Sequence, residues 1–253
     1  MKSSVAAAVV TTAALAAACS VAAPSSPSSA ALSETKETAA YVFRYSAGDD
    51  VDSVWQQAFH EWAVAALQVS VPQRVTYNKY LSRTHMGDVT GQYTTNGFAE
   101  PDRFAIHTLW RRDNHETVHV YSARFGSPVA LFNEGLAVAC QVDPVAGDFV
   151  ARWSGTPVHD LARQFRQQGR LVPLGDLLTS TDFRKPDPNV TYPEAGSFMR
   201  YMLDLYGLDA IKRLFERGTP TDSADVVRQQ VLAVYGRPIA DLERDWWALL
   251  DRK

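Results

Sequence analysis

The chain has 253 residues, with 25 Lys and Arg against 28 Asp and Glu and a formal net charge of −3. This balance, with no basic run and no aromatics interleaved with Arg, excludes a nucleic-acid binder. Hydrophobic residues make up 46% and aromatics 11%, too many for a disordered chain and enough for one full core.

The first element is a targeting segment. Lys2 precedes an uncharged apolar run, Val5 to Ala18, and then Cys19. The run is too short to span a bilayer as a helix and fits a secretory signal peptide over residues 1–18. Leu15-Ala16-Ala17-Ala18-Cys19 resembles a bacterial lipobox, with its Leu one place early; ordinary cleavage after Ala22 is the alternative. Lipidation at Cys19 would make the protein an exported, membrane-anchored lipoprotein, periplasmic or on the cell surface. Residues 19–40 are rich in Ser, Ala and Pro and read as a flexible tether. Residues 41–253 read as one domain. With Cys19 lipidated, Cys140 is the only other thiol, so no disulfide forms within a monomer. It follows Leu136-Ala137-Val138-Ala139 and reads as a buried packing residue.

Tyr41–Tyr45 alternates and predicts a strand. Asp50–Gln68 predicts a helix, with Val54, Ala58, Trp62 and Ala65 at helical spacing. Arg74–Tyr80 is a second strand. Thr84–Pro101 contains Gly87, Gly91 and Gly97 and reads as loop with short extended pieces. Arg103–Leu109 is a strand leading into a helix that opens at Asp113 or Asn114, both good N-caps. Pro128 starts a helix running to Gln141. Val158–Gln168 and Leu174–Leu178 are helical. Asp182–Thr191 has three prolines and reads as loop. Glu194–Tyr206, Leu208–Arg217, Ser223–Val234 and Ile239–Leu250 read as four consecutive helices, and Trp246-Trp247 as a core anchor of the last. Strands come early and helices late, so the fold class is α+β: an N-terminal mixed sheet with helices, then a mostly helical C-terminal part.

The chemistry concentrates in His115-Glu116-Thr117-Val118-His119. Residues four apart share one helix face, so His115 and His119 can bind one cation through two imidazole nitrogens. Glu116 lies about 100° round, within reach of a water on that cation. Glu134, on the following helix, could supply a third ligand. Three protein ligands and an open position make a catalytic zinc site. Gly135 beside it costs helix stability but lets a neighbouring helix or the metal come close. His60, His85 and His159 carry no spacing logic. Asn189-Val190-Thr191 is a formal glycosylation sequon, discounted because the export signal looks bacterial.

The domain resembles the peptidase MA-like domains, small bacterial zinc metallopeptidases of the gluzincin group to which thermolysin belongs. The resemblance spans residues 41–250. It rests on His115-Glu116-x-x-His119 and on Phe132-Asn133-Glu134-Gly135-Leu136-Ala137, where the family usually reads W-L-x-E-G-L-A. It continues in Leu161-Ala162, Gly169-Arg170-Leu171-Val172-Pro173-Leu174, Tyr192-Pro193-Glu194-Ala195-Gly196-Ser197-Phe198 with Tyr206-Gly207, and Leu242-Glu243-x-x-Trp246. It implies a zincin-like fold, one Zn2+ per chain held by His115, His119 and Glu134, and Glu116 as general base. One departure stands out: the family often has an acid four residues after the Glu ligand, and here that position is Val138. The support a carboxylate there would give the histidine rings is then missing or comes from elsewhere, such as Asp113 or Asp143.

The implied reaction is peptide-bond hydrolysis by a zinc-activated water. Glu116 takes the water's proton and passes it to the leaving amine. Tyr192 is the candidate donor to the oxyanion, since related aminopeptidases use a tyrosine at a similar stage; packing is the competing role. The strand containing His107 is expected to be the edge that pairs with an extended peptide, with His107 itself a strand residue rather than a ligand. The expected partners are a peptide or protein substrate and, through Cys19, a membrane; the chain is expected to be a monomer. The alternative is a catalytically inactive zinc-binding lipoprotein that recognises peptide or cell-wall material, and a third is a structural lipoprotein with an accidental motif. An intact Glu116 argues against the second, and the residues around Glu134 argue against the third.

Overall fold

The computed structural model describes residues 32–252. The signal segment, Cys19 and the tether as far as residue 31 lie outside the described residues. Two strands, β1 (Glu34–Glu37) and β2 (Tyr41–Tyr45), open the domain. Residues 34–37 were expected in the tether. They instead pair antiparallel with β2, Glu34 opposite Tyr45, with all four side chains exposed. Polar composition hid a solvent-facing edge strand, whose stability comes from backbone pairing rather than from an apolar face.

Helix α1 (Ser53–Leu67) starts where the Asp52 side chain accepts the Trp55 N–H. Trp55 and Phe59 stack along its buried face, ring centroids 5.4 Å apart. The chain continues through β3 (Val75–Lys79), α2 (Arg83–Thr90), β4 (Gly97–Glu100) and β5 (Ala105–Thr108). The five strands form one mixed sheet in the order β1-β2-β3-β5-β4. The pairs β2-β3 and β3-β5 are parallel, and β4-β5 is antiparallel. Tyr41, Phe43, Val75, Tyr77 and Ile106 point from one face into the core.

Two expectations fail here. Residues 84–101 are loop only in part: β4 is a short extended piece of the kind expected, but residues 83–90 form helix α2. The His107 strand is not the edge, because β4 covers it, with Phe98 opposite His107.

Helices α3 (Asn114–Ser122) and α4 (Ala130–Ala139) follow, then the two-residue strands β6 (Arg152–Trp153) and β7 (Thr156–Pro157), α5 (Val158–Gln167) and α6 (Ser180–Phe183). The long helix α7 runs Pro188–Arg217 and is broken by Gly207, whose φ of 75° and ψ of 171° are non-helical. The expected division between residues 206 and 208 falls at this break. The helix begins earlier than expected, however: Asp187 accepts the Asn189 N–H as N-cap and Pro188 fits the first turn. Helices α8 (Ala224–Tyr235) and α9 (Ile239–Leu250) complete the chain.

The fold is α+β. No helix among the described residues is long and apolar enough to cross a membrane. Trp246 is fully buried and donates to Ser197 Oγ at 3.0 Å. Trp247 is half-buried under the Arg166 guanidinium. Cys140 is free and buried, as expected.

Helix α4 is buried on nearly every side, and its tightest partner is α7. A Cβ on Gly135 would lie 2.6 Å from Met199 Cγ and 2.8 Å from the Ala195 carbonyl. A Cβ on Gly196 would lie 2.2 Å from Val138 Cγ1. Gly135 therefore admits the neighbouring helix, one of the two roles its sequence position suggested. This crossing fixes the height at which Glu134 leaves α4.

Candidate metal centre

Helix α3 is locked at its N-terminus from two sides. The Asp113 side chain accepts the Glu116 N–H at 2.9 Å. From α1, Gln56 Nε2 donates to the Asp113 carbonyl (3.0 Å) and to Thr117 Oγ1 (2.8 Å), while its Oε1 accepts the Asp113 N–H at 3.0 Å. The first turn, carrying His115 and Glu116, is thus fixed by a saturated buried network. Helix α4 has no side-chain cap of its own; Ser180 Oγ accepts the Ala130 N–H at 3.0 Å instead.

These supports bring the three predicted ligands together. His115 Nε2 is 3.1 Å and His119 Nε2 3.2 Å from Glu134 Oε2, and the two Nε2 atoms are 3.2 Å apart. Tetrahedral zinc with bonds of 2.0–2.1 Å requires ligand atoms roughly 3.3 Å apart, so the near-equilateral triangle fits such a cation. The donor set, two imidazoles and one carboxylate, is also that of a catalytic zinc.

The protein charges alone make this cluster unusual. Burial would lower the His119 pKa, but the Glu134 carboxylate overrides it and raises it to about 9. Burial would raise Glu134, yet the two imidazoles hold it far below the usual carboxylate range. Burial pushes Glu116 up to about 7, with Asp113 and Glu134 adding and the histidines opposing.

The triad opens on a cleft of about 940 Å³ whose lining includes Glu116 and Tyr192 as well as the three ligands. No model of a known protein family and no curated protein matches the chain.

Tyr192 lies within the first turns of α7. Its ring packs on Trp153 and Phe183 at 5.5 and 5.4 Å and is 6.1 Å from the His115 ring. Among the described residues its hydroxyl makes no hydrogen bond. Burial, followed by the Glu134 charge, raises its pKa to about 12, so it stays a donor. The packing role and a donor role are compatible in this position.

Neither carboxylate expected behind the histidines is there. Asp113 caps α3, and Asp143 accepts Trp55 Nε1 at 2.8 Å. Gln141 approaches His115 instead, its Nε2 3.0 Å from Nδ1. His119 Nδ1 is buried without a hydrogen bond.

Arg184 was also missed. Its Nη2 lies 3.6 Å from Glu134 Oε1, and it is the one Lys or Arg among the residues lining the cleft. Gln141 and Arg184 lie beyond helix ends, where no periodicity points to them.

The remaining histidines make ordinary local contacts. His60 meets the Tyr121 hydroxyl, and His159 Nδ1 meets Ser197 Oγ at 2.8 Å. His107 Nδ1 meets the Tyr80 hydroxyl at 2.8 Å and stacks on Phe98, so it is a strand residue and no part of the triad.

Proposed function

We propose that the protein is a zinc-dependent metallopeptidase of zincin-like fold, exported and anchored through Cys19. The reading is carried by one observation: three ligand atoms, two imidazole nitrogens and a carboxylate oxygen, converge within 3.2 Å of one another at the floor of an open cleft. A zinc ion held there would supply Lewis acidity and a water acidified towards neutrality. Glu116 is the base that takes the water's proton and returns it to the leaving amine. The Tyr192 hydroxyl donates to the carbonyl oxygen as negative charge builds on it.

The substrate strand pairs with β4 rather than with the His107 strand. Leu109 N–H donates to the Asn96 carbonyl, and Phe98 faces His107. By antiparallel alternation residues 96, 98 and 100 bond inward to β5, while 97 and 99 face the open edge. Thr95 Oγ1 accepts the Gly97 N–H and donates to its carbonyl, so Ala99 offers the free pair. An extended peptide bonding there runs past Glu116, close to which Gly97 lies: a Cβ on it would be 3.1 Å from Oε1.

The test is a digest of a mixed peptide library by wild type and Glu116→Gln. Chelator-sensitive cleavage by wild type, reduced several orders of magnitude in the variant, is expected. Zinc-loaded wild type that cuts nothing across a broad library would instead favour a zinc-binding recognition domain.

A further inference from the structure

Val138 occupies the position where the family resemblance calls for an acid, and its surroundings leave no place for one. It is fully buried with Ala151 and Val158 and presses against the backbone of α7 at Gly196. Gln141, three residues further on, sits past the end of α4. Its N–H donates to the Val138 carbonyl and its own carbonyl accepts from Arg152, each at 3.0 Å. The segment is thus pinned between α4 and β6, and the carboxamide is held 3.0 Å from His115 Nδ1.

Resting on the metal site described above, we propose that Gln141 is the positioning residue for His115: an uncharged partner where a carboxylate would be usual. With His115 Nε2 committed to a cation, Nδ1 carries the ring proton; the carboxamide, whose Nε2 faces Nδ1 in this structure, then flips to present Oε1 as the acceptor. That contact fixes the tautomer and the ring plane. A carboxylate would do the same, but it would also make the imidazole more basic and add a full negative charge. The carboxamide orients the ring without that charge. A dication held by two neutral imidazoles and one carboxylate then keeps more of its positive charge. The cost is weaker metal affinity, and the return is a stronger Lewis acid.

Two substitutions separate this role from a structural one. Gln141→Ala removes the orienting contact and should weaken zinc binding roughly 10- to 100-fold. Gln141→Glu supplies the charge and should tighten it by about tenfold. The backbone contacts of residue 141 survive both changes, so the melting temperature of the zinc-free protein should hold in Gln141→Ala. Zinc dissociation constants, measured by competition with a chromophoric chelator, give the readout independently of any peptidase activity. Shifts in opposite directions are expected. An Ala variant within roughly threefold of wild type, or equal weakening in both variants, would overturn the proposal. Wild type that binds zinc but cuts no peptide would refute the peptidase reading and leave these affinities to decide on Gln141. Wild type that binds no zinc would overturn both.

Discussion

Glu194 on α7 is fully buried; its Oε2 accepts the Val172 N–H at 3.2 Å, and its Oε1 has no partner. Burial, resisted by that N–H and reinforced by Glu243, raises its pKa to about 8. The folded protein therefore holds a proton that the unfolded chain, with its glutamate near 4.5, releases. Stability from this group is complete below pH 4.5 and is lost as the pH rises towards 8. Where the folded state binds one extra proton, the slope is about 1.4 kcal/mol per pH unit. Allowing for partial titration at both ends, about 3 kcal/mol is lost between pH 5 and pH 8. Glu194→Gln keeps the acceptor for Val172 and removes the titration. Its melting temperature relative to wild type should rise by roughly 6–12 °C between those pH values, at 2–4 °C per kcal/mol for a domain of this size. Thermal melts followed by circular dichroism at pH 5, 6.5 and 8 measure the difference directly. A gap that stays constant across this range, or that favours wild type at pH 8, would refute the assignment of a neutral buried Glu194.

Tyr192→Phe should lower kcat by roughly ten- to a thousandfold with little change in KM or melting temperature, and unchanged turnover would return Tyr192 to packing alone. Gly196→Ala puts a methyl group 2.2 Å from Val138 Cγ1 and should cost about 1–3 kcal/mol; adding Val138→Ala should recover part of it, and an unshifted melting temperature in the single variant would contradict the tight α4–α7 crossing. Cys140, buried and with its thiol raised to about 12, should resist thiol reagents until the protein is denatured; rapid labelling of the native state would count against its burial.

The grouping of His115, His119 and Glu134 was legible because the two histidines obey helical arithmetic. His115 and His119 are one turn apart, and Asp113 signals where that turn begins. Helix α1 was legible as a helix but not by its face: Val54 and Ala65, at the spacing read as apolar, are exposed, and Trp55, Phe59, Ala63 and Leu67 face the core; the break at Gly207 fell where two helices were expected to divide. Elements hidden by composition were not. Helix α2 carries Gly87 in its interior, where a Cβ would strike the Tyr93 ring, so a glycine placed for packing looked like a loop signal. Strand β4 is four half-buried residues without strong alternation, so nothing in the extended pieces expected there showed that one of them covers the His107 strand. Gln56, Gln141 and Arg184 act through contacts between elements far apart in the chain, which spacing cannot express.

Native mass spectrometry of zinc content in wild type, His119→Ala, Glu134→Ala and Glu116→Gln tests the metal centre most directly. Wild type and Glu116→Gln should each carry about one zinc per chain, since Glu116 is a base and not a ligand, while the other two variants should lose most of it. Full occupancy in both His119→Ala and Glu134→Ala, or wild type without zinc, would contradict the site.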